Sequence, residues 1–127
     1  MIVLGASAAV LALLNDGDAR GIVAAEAVAV PHLVDVEVAQ ALRGQVQRGR
    51  LSGRDAEAAL RRWARLGLRR TAIVAFLARV WELRENVSAY DATYVALAEA
   101  LDCQLVTADG RLARAPGARC PITIVRR

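Results

Sequence analysis

Short runs of apolar and β-branched residues recur along the chain, each followed by a stretch whose apolar residues return every three or four positions. The short runs are Ile2 to Leu4, Ala27 to Val30, Leu66 with Leu68, Gln104 to Val106 and Ile122 to Val125. The first leads into Ser7, a residue type that caps helices, and then into Val10, Leu11 and Leu14 at helical spacing. A second short helix is expected over Ala19 to Glu26, and Pro31 is expected to stop the strand that ends at Val30. Val34, Val38, Ala41, Leu42 and Val46 then mark a long amphipathic helix from Leu33 to about Gln47, closed by Gly49. Ser52 with Asp55, and Ser88 with Asp91, have the spacing of capping boxes. They open helices striped by Ala56, Ala59, Leu60 and Trp63 and by Tyr94, Val95, Ala98 and Leu101. Ile73, Phe76, Leu77, Val80 and Trp81 predict a further helix whose stripe takes Trp81 into the core, as Trp63 is taken there. Ala108 to Ala113 reads as a last short helix.

Strands that alternate with helices throughout predict a parallel sheet, because right-handed crossovers place the helices on its two faces. The expected architecture is α/β: a three-layer α/β/α sandwich with a central, mostly parallel twisted sheet. At 127 residues the chain fits one domain over residues 1–127, and 56% hydrophobic with 24% charged residues is a globular balance. Ligands of such sheets bind beyond the carboxyl ends of the strands, so chemistry is sought there.

No apolar stretch reaches the roughly 18 residues of a membrane span, and no basic segment precedes the first apolar run. A cytoplasmic protein with no membrane association is therefore expected. Cys103 and Cys120 lack both C-x-x-C spacing and the density of a disulfide scaffold, which fits reduced thiols. Net charge is +4, and all 17 basic residues are arginine. Arginine's planar fork suits phosphate, and a codon bias toward Arg and Ala explains the composition equally well.

Three acids stand where apolar stripes or strand ends are expected. Glu37 lies in phase with Val34 and Ala41, so its carboxylate faces the covered side of its helix. An ionised group there needs a cation or hydrogen-bond donors; an arginine at the core edge is one answer. Asp91 caps its helix by position, yet its spacing to Tyr94 and Ala98 also turns it toward the covered side. Asp109 directly follows the run Leu105-Val-Thr-Ala, at the start of a short helix whose dipole favours an anion. Converging carboxylates repel unless a cation sits among them, and an oxygen-only set suits Mg²⁺, with Mn²⁺ possible, rather than zinc. His32, the one histidine, is expected to flank a helix start.

Met1-Ile-Val-Leu-Gly-Ala-Ser-Ala, Pro31-His-Leu-Val-Asp-Val-Glu37-Val, Ser88-Ala-Tyr-Asp91-Ala-Thr-Tyr-Val-Ala-Leu-Ala and Leu105-Val-Thr-Ala-Asp109-Gly-Arg-Leu follow one another along the chain. In this order and spacing the sequence resembles the PIN domains, and within them the VapC-type toxins of bacterial toxin–antitoxin pairs. The resemblance implies a Mg²⁺-dependent endoribonuclease, silenced by a VapB-type antitoxin and pairing as a homodimer. It implies Glu37, Asp91 and Asp109 as metal-binding catalytic acids, with Ser7 and Thr107 orienting them or serving as helix caps. Arg54, Arg61, Arg62, Arg65, Arg69 and Arg70 would contact RNA phosphates, or else form a solvated helix face. One departure stands out. Family members carry a metal-binding aspartate after the first strand, where this chain has Gly5. A weakened or inactive nuclease is expected, and the alternative is a non-catalytic protein that binds an antitoxin or RNA without hydrolysis. A dinucleotide-binding turn at Gly5 lacks its second and third glycines, and an aspartyl phosphatase fails at the same glycine.

Overall fold

The computed structural model describes residues 1–126. Among them five strands form one sheet: β1 (Ile2–Leu4), β2 (Val28–Pro31), β3 (Arg69–Thr71), β4 (Gln104–Thr107) and β5 (Ile122–Ile124). Their order is β3-β2-β1-β4-β5, and every neighbouring pair is parallel. The helices are α1 (Ala6–Leu14), α2 (Asp18–Ala25), α3 (Leu33–Gln47), α4 (Gly53–Arg65), α5 (Leu77–Glu82), α6 (Ala89–Ala100) and α7 (Gly110–Arg114), with a 3₁₀ turn at Val74–Phe76. The three-layer α/β/α arrangement expected from the sequence is the one observed. α1 packs on α2, α3 and α4, while α6 lies across β1, β2 and β4 with α5 against it.

Burial follows strand position. Ile2, Val3 and Leu4 of β1 and Val28, Ala29 and Val30 of β2 are buried, as expected of strands covered on both faces. β3 carries two arginines and forms one edge of the sheet, where charged side chains discourage further pairing. Ala92 through Ala98 of α6 are buried without interruption, so this helix is a core element rather than an amphipathic cover.

The chain runs outward from β1 through β2 to β3, then returns to place β4 on the other side of β1. The strand order therefore reverses between β1 and β4. Loops leaving these two strands diverge to opposite faces, and a crevice opens at their carboxyl ends.

Several expectations are corrected. Ser7 does not cap α1: Gly5 holds the N-cap position with extended backbone, and Ser7 lies in the first turn. Pro31 is included in β2 rather than ending it, because the missing N–H of proline is tolerated at a strand end. Leu66 and Leu68 precede β3 instead of forming it. The helix expected around Ile73 to Trp81 is broken by the 3₁₀ turn, which resets the helical phase. Val80 and Leu83 consequently face the core, whereas Trp81 is 68% exposed and lies 4.8 Å from the Arg84 guanidinium.

Candidate active site

The end of β1 is tied to β4 by the Gly5 N–H, which donates to the Val106 carbonyl at 2.8 Å. Ser7, one turn into α1, lies 3.2 Å from the buried Thr107 hydroxyl, oxygen to oxygen. The Ser7 hydroxyl also accepts the Ala108 N–H at 3.0 Å, and Thr107 Oγ1 accepts the Asp109 N–H at 3.0 Å. Two hydroxyls thus saturate the backbone of the loop leaving β4. Asp109 then caps α7 by accepting the Arg111 N–H at 2.9 Å.

The other acids arrive from helices. Glu37 projects from α3 and accepts a hydrogen bond at Oε1 from the Tyr94 hydroxyl of α6. At the start of α6, the Ser88 hydroxyl accepts the Asp91 N–H at 3.1 Å, so the helix cap is Ser88 and the Asp91 carboxylate faces the crevice. Glu37, Asp91 and Asp109 line one cleft of about 160 Å³, together with Gly5, Ser7, Tyr94 and Thr107. The sequence-derived acids and both hydroxyls line the same cleft.

Electrostatics link the acids in series. Burial pushes the Glu37 carboxyl above its ordinary value; the Tyr94 hydrogen bond opposes this and the Asp91 charge adds to it. Burial likewise raises Asp91, followed by the charge of Asp109, while the Ser88 hydroxyl and Arg111 pull it down. Tyr94 is raised too, first by burial and then by its bond to Glu37, so it remains a donor. Positive charge inside this cleft is therefore favoured. All its side-chain ligands are oxygens, the donor type of hard divalent cations. Among the described residues no three acids converge closely enough to enclose an ion by themselves. A hard cation in this cleft would have to be held in part through its own water shell.

Position 5 belongs to the same cleft. A Cβ added there would sit 3.3 Å from the Val106 carbonyl oxygen and 3.7 Å from Thr107 Oγ1. A side chain at this position requires the Val106 carbonyl to give way by a few tenths of an ångström.

The basic residues divide differently. Arg70 grips Asp35 at 2.8 and 2.9 Å, Arg62 donates to the Leu13 carbonyl at 3.1 Å, and Arg61 pairs with Glu57 at 3.0 Å. Arg54, Arg65 and Arg69 are exposed. None of the arginines named from the sequence lines the acidic cleft. Arg111 was overlooked there: it is 88% exposed, its Nε lies 3.7 Å from Asp109, and its charge reaches Asp91. Its place two residues after Asp109 in Ala-Asp-Gly-Arg was the available signal. His32 is exposed and stands outside the cleft.

Known proteins match the chain along most of its length. Residues 2–118 match the PIN domain family. Ribonuclease VapC9 of Mycobacterium tuberculosis (strain ATCC 25618 / H37Rv) is 58% identical over 127 residues, spanning 100% of both chains. Ribonuclease VapC1 of the same strain is 43% identical over 129 residues, covering 98% of this chain and 97% of the relative. In fold, the chain is similar to the crystal structure of PAE2754 from Pyrobaculum aerophilum, with a TM-score of 0.72 and 25% identity over 97% of this chain and 83% of the other. VapBC2 from Rickettsia felis, bound to a DNA fragment from its promoter, gives 0.71 at 16% identity over 99% and 100%. This chain therefore belongs to the PIN domain family and is of the VapC type.

Proposed function

We propose that this chain is a Mg²⁺-dependent endoribonuclease toxin of a type II toxin–antitoxin system, weakened by glycine at position 5. The observation that carries the reading is the meeting of Glu37, Asp91 and Asp109 around one cleft at the reversal of strand order. The relatives that match over at least 97% of their length are named ribonucleases.

Glu37, Asp91 and Asp109 would hold Mg²⁺, or Mn²⁺ in its place, directly or through water. A bound ion of this kind supplies Lewis-acid stabilisation of phosphate charge and a more acidic water. The chain's own residues do the rest. Ser7 and Thr107 fix the loop that presents Asp109, and Tyr94 fixes Glu37. Arg111, exposed beside Asp109, receives an RNA phosphate, with Arg65 and Arg69 as more distant contacts. Arg61, Arg62 and Arg70, proposed from the sequence for the same task, are engaged within the fold and contribute less.

For a VapB-type antitoxin, the receptive surface is the cleft of about 500 Å³ among α1, α2 and α4, where Leu13, Val23, Trp63 and Leu66 form an apolar floor beside Arg20 and Arg62. The homodimer is assigned to the outward face of Val74, Leu77 and Trp81, large apolar side chains left in water by the described fold.

A non-catalytic antitoxin- or RNA-binding role is the second reading, and Gly5 favours it. Gly5→Asp, with Gly5→Ala as control, separates the two. RNA cleavage with Mg²⁺ and Mn²⁺ affinity by calorimetry should both rise in the aspartate variant, cleavage by at least about 100-fold. Equal activity in the two would show that Gly5 does no harm, and absence of cleavage in both would favour the binding role.

A further inference from the structure

Both cysteines of the sequence line one pocket at the amino ends of β4 and β5, the end of the sheet opposite the acidic cleft. Cys103 immediately precedes β4, and Cys120 lies just ahead of β5. In the ladder between these strands Leu105 stands opposite Ile122 and Val106 opposite Thr123. The Leu105 N–H donates to the Pro121 carbonyl at 2.9 Å, so pairing extends back toward the amino ends. Counting back along both chains from this ladder brings Cys103 and Cys120 into register, one residue before β4 and two before β5.

Adjacent strands lie about 4.8 Å apart, within the Cα separation of about 4.4–6.8 Å that a disulfide spans. Both thiols line a single open pocket of about 280 Å³, along with Glu99 and Arg119. Burial raises both; the charge of Glu99 and, more weakly, that of an ionised Cys103 raise Cys120 further. Neither is therefore a pre-formed thiolate; what favours reaction is their proximity. A metal is the poorer occupant, since among the described residues no cluster of His, Cys, Asp and Glu suits one.

We propose that Cys103 and Cys120 are a reversible redox pair that closes into an intramolecular disulfide by exchange with an oxidised low-molecular-weight disulfide, RSSR. The thiolate of one cysteine attacks a sulfur of RSSR, forming a mixed disulfide and releasing one RS⁻. The second cysteine, having lost its proton to solvent, attacks the protein-bound sulfur and releases the other RS⁻. The products are one protein disulfide and two RSH. The ring so closed contains Thr107, Asp109 and Arg111, the segment that crosses from β4 through α7 to β5.

Oxidised glutathione added to the full-length chain is the test, read by denaturing mass spectrometry after alkylation of free thiols. The expected product is a monomer lighter by two hydrogens, unreactive to alkylation, whose tryptic peptides 85–111 and 120–126 are joined. Dithiothreitol should reverse it. Cys103→Ser should stop at the glutathione adduct of Cys120, as Cys120→Ser should stop at that of Cys103. Two thiols that stay free at every ratio of oxidised to reduced glutathione, stable adducts on both cysteines, or a disulfide only between chains would each overturn the proposal. None of these readouts depends on ribonuclease activity.

Discussion

Tyr94 on α6 donates its phenolic hydrogen to Glu37 on α3, joining residues 57 apart in sequence inside the acidic cleft. Tyr94 is only 3% exposed, and its hydroxyl is what opposes the effect of burial on Glu37. Tyr94→Phe leaves Glu37 half-buried against the charge of Asp91 with nothing opposing either effect. In the Gly5→Asp background, cleavage and Mn²⁺ affinity should each fall about 10- to 100-fold, matching the roughly 1.5–3 kcal/mol of a hydrogen bond to a charged group. A lower melting temperature with unchanged Mn²⁺ affinity would reduce Tyr94 to a packing residue.

Arg111 tests the approach of RNA. It is 88% exposed and pairs loosely with Asp109, at 3.7 Å, so Arg111→Ala should alter stability by less than about 0.5 kcal/mol. RNA affinity should weaken, and the slope of log affinity against log salt should drop by about one. Fluorescence anisotropy with labelled RNA in graded salt reads both. An unchanged slope would remove Arg111 from the phosphate path.

The carboxylates also set a trade between function and stability. Burial and the charge of Asp109 raise Asp91, which means that the folded state disfavours its ionised form. That cost is absent in acid, appears as pH rises above the ordinary value of 3.8 and is complete once pH passes the raised folded value. At neutral pH, Asp91→Asn should therefore raise the melting temperature by about 3 °C while lowering Mn²⁺ affinity. Added Mn²⁺ should stabilise the parent more than the variant. A variant that melts lower at pH 7 would contradict this balance.

How much of this was legible in sequence depended on distance along the chain. The strands and most helices could be read because apolar periodicity is local, and Glu37 could be placed because Val34 and Val38 fix the phase of α3. Its donor Tyr94 could be assigned a buried face but not a target. Asp91 has capping-box spacing and a place in the cleft at once, and spacing along the chain does not separate these two roles. Trp81 was misassigned because a stripe defines a face without saying which side is covered, and the 3₁₀ turn shifts that face by a fraction of a turn. Arginines that look like one basic patch are split by contacts with Asp35 and with the Leu13 carbonyl, 35 and 49 residues away. No local pattern encodes such contacts.

Asp35 carries the last prediction. It accepts two bonds from Arg70, at 2.8 and 2.9 Å, and one from the buried Trp63 indole at 2.7 Å, clamping α3, α4 and β3 together. The Arg70 guanidinium is the largest influence on Asp35 and holds its carboxyl below the usual 3.8, with Trp63 adding to it and burial opposing. A carboxylate lowered by folding stabilises above its unfolded value and loses that contribution as pH falls through the folded one. Arg70→Gln should therefore lower the urea midpoint at pH 6–7, and the gap to the parent should close as pH drops below 3.8. Salt should narrow the gap at neutral pH, since both side chains are partly exposed. Urea titrations from pH 7 to pH 2 measure this directly. A gap that persists unchanged into acid would mean that Arg70 supports the fold by packing of its stem rather than by its charge.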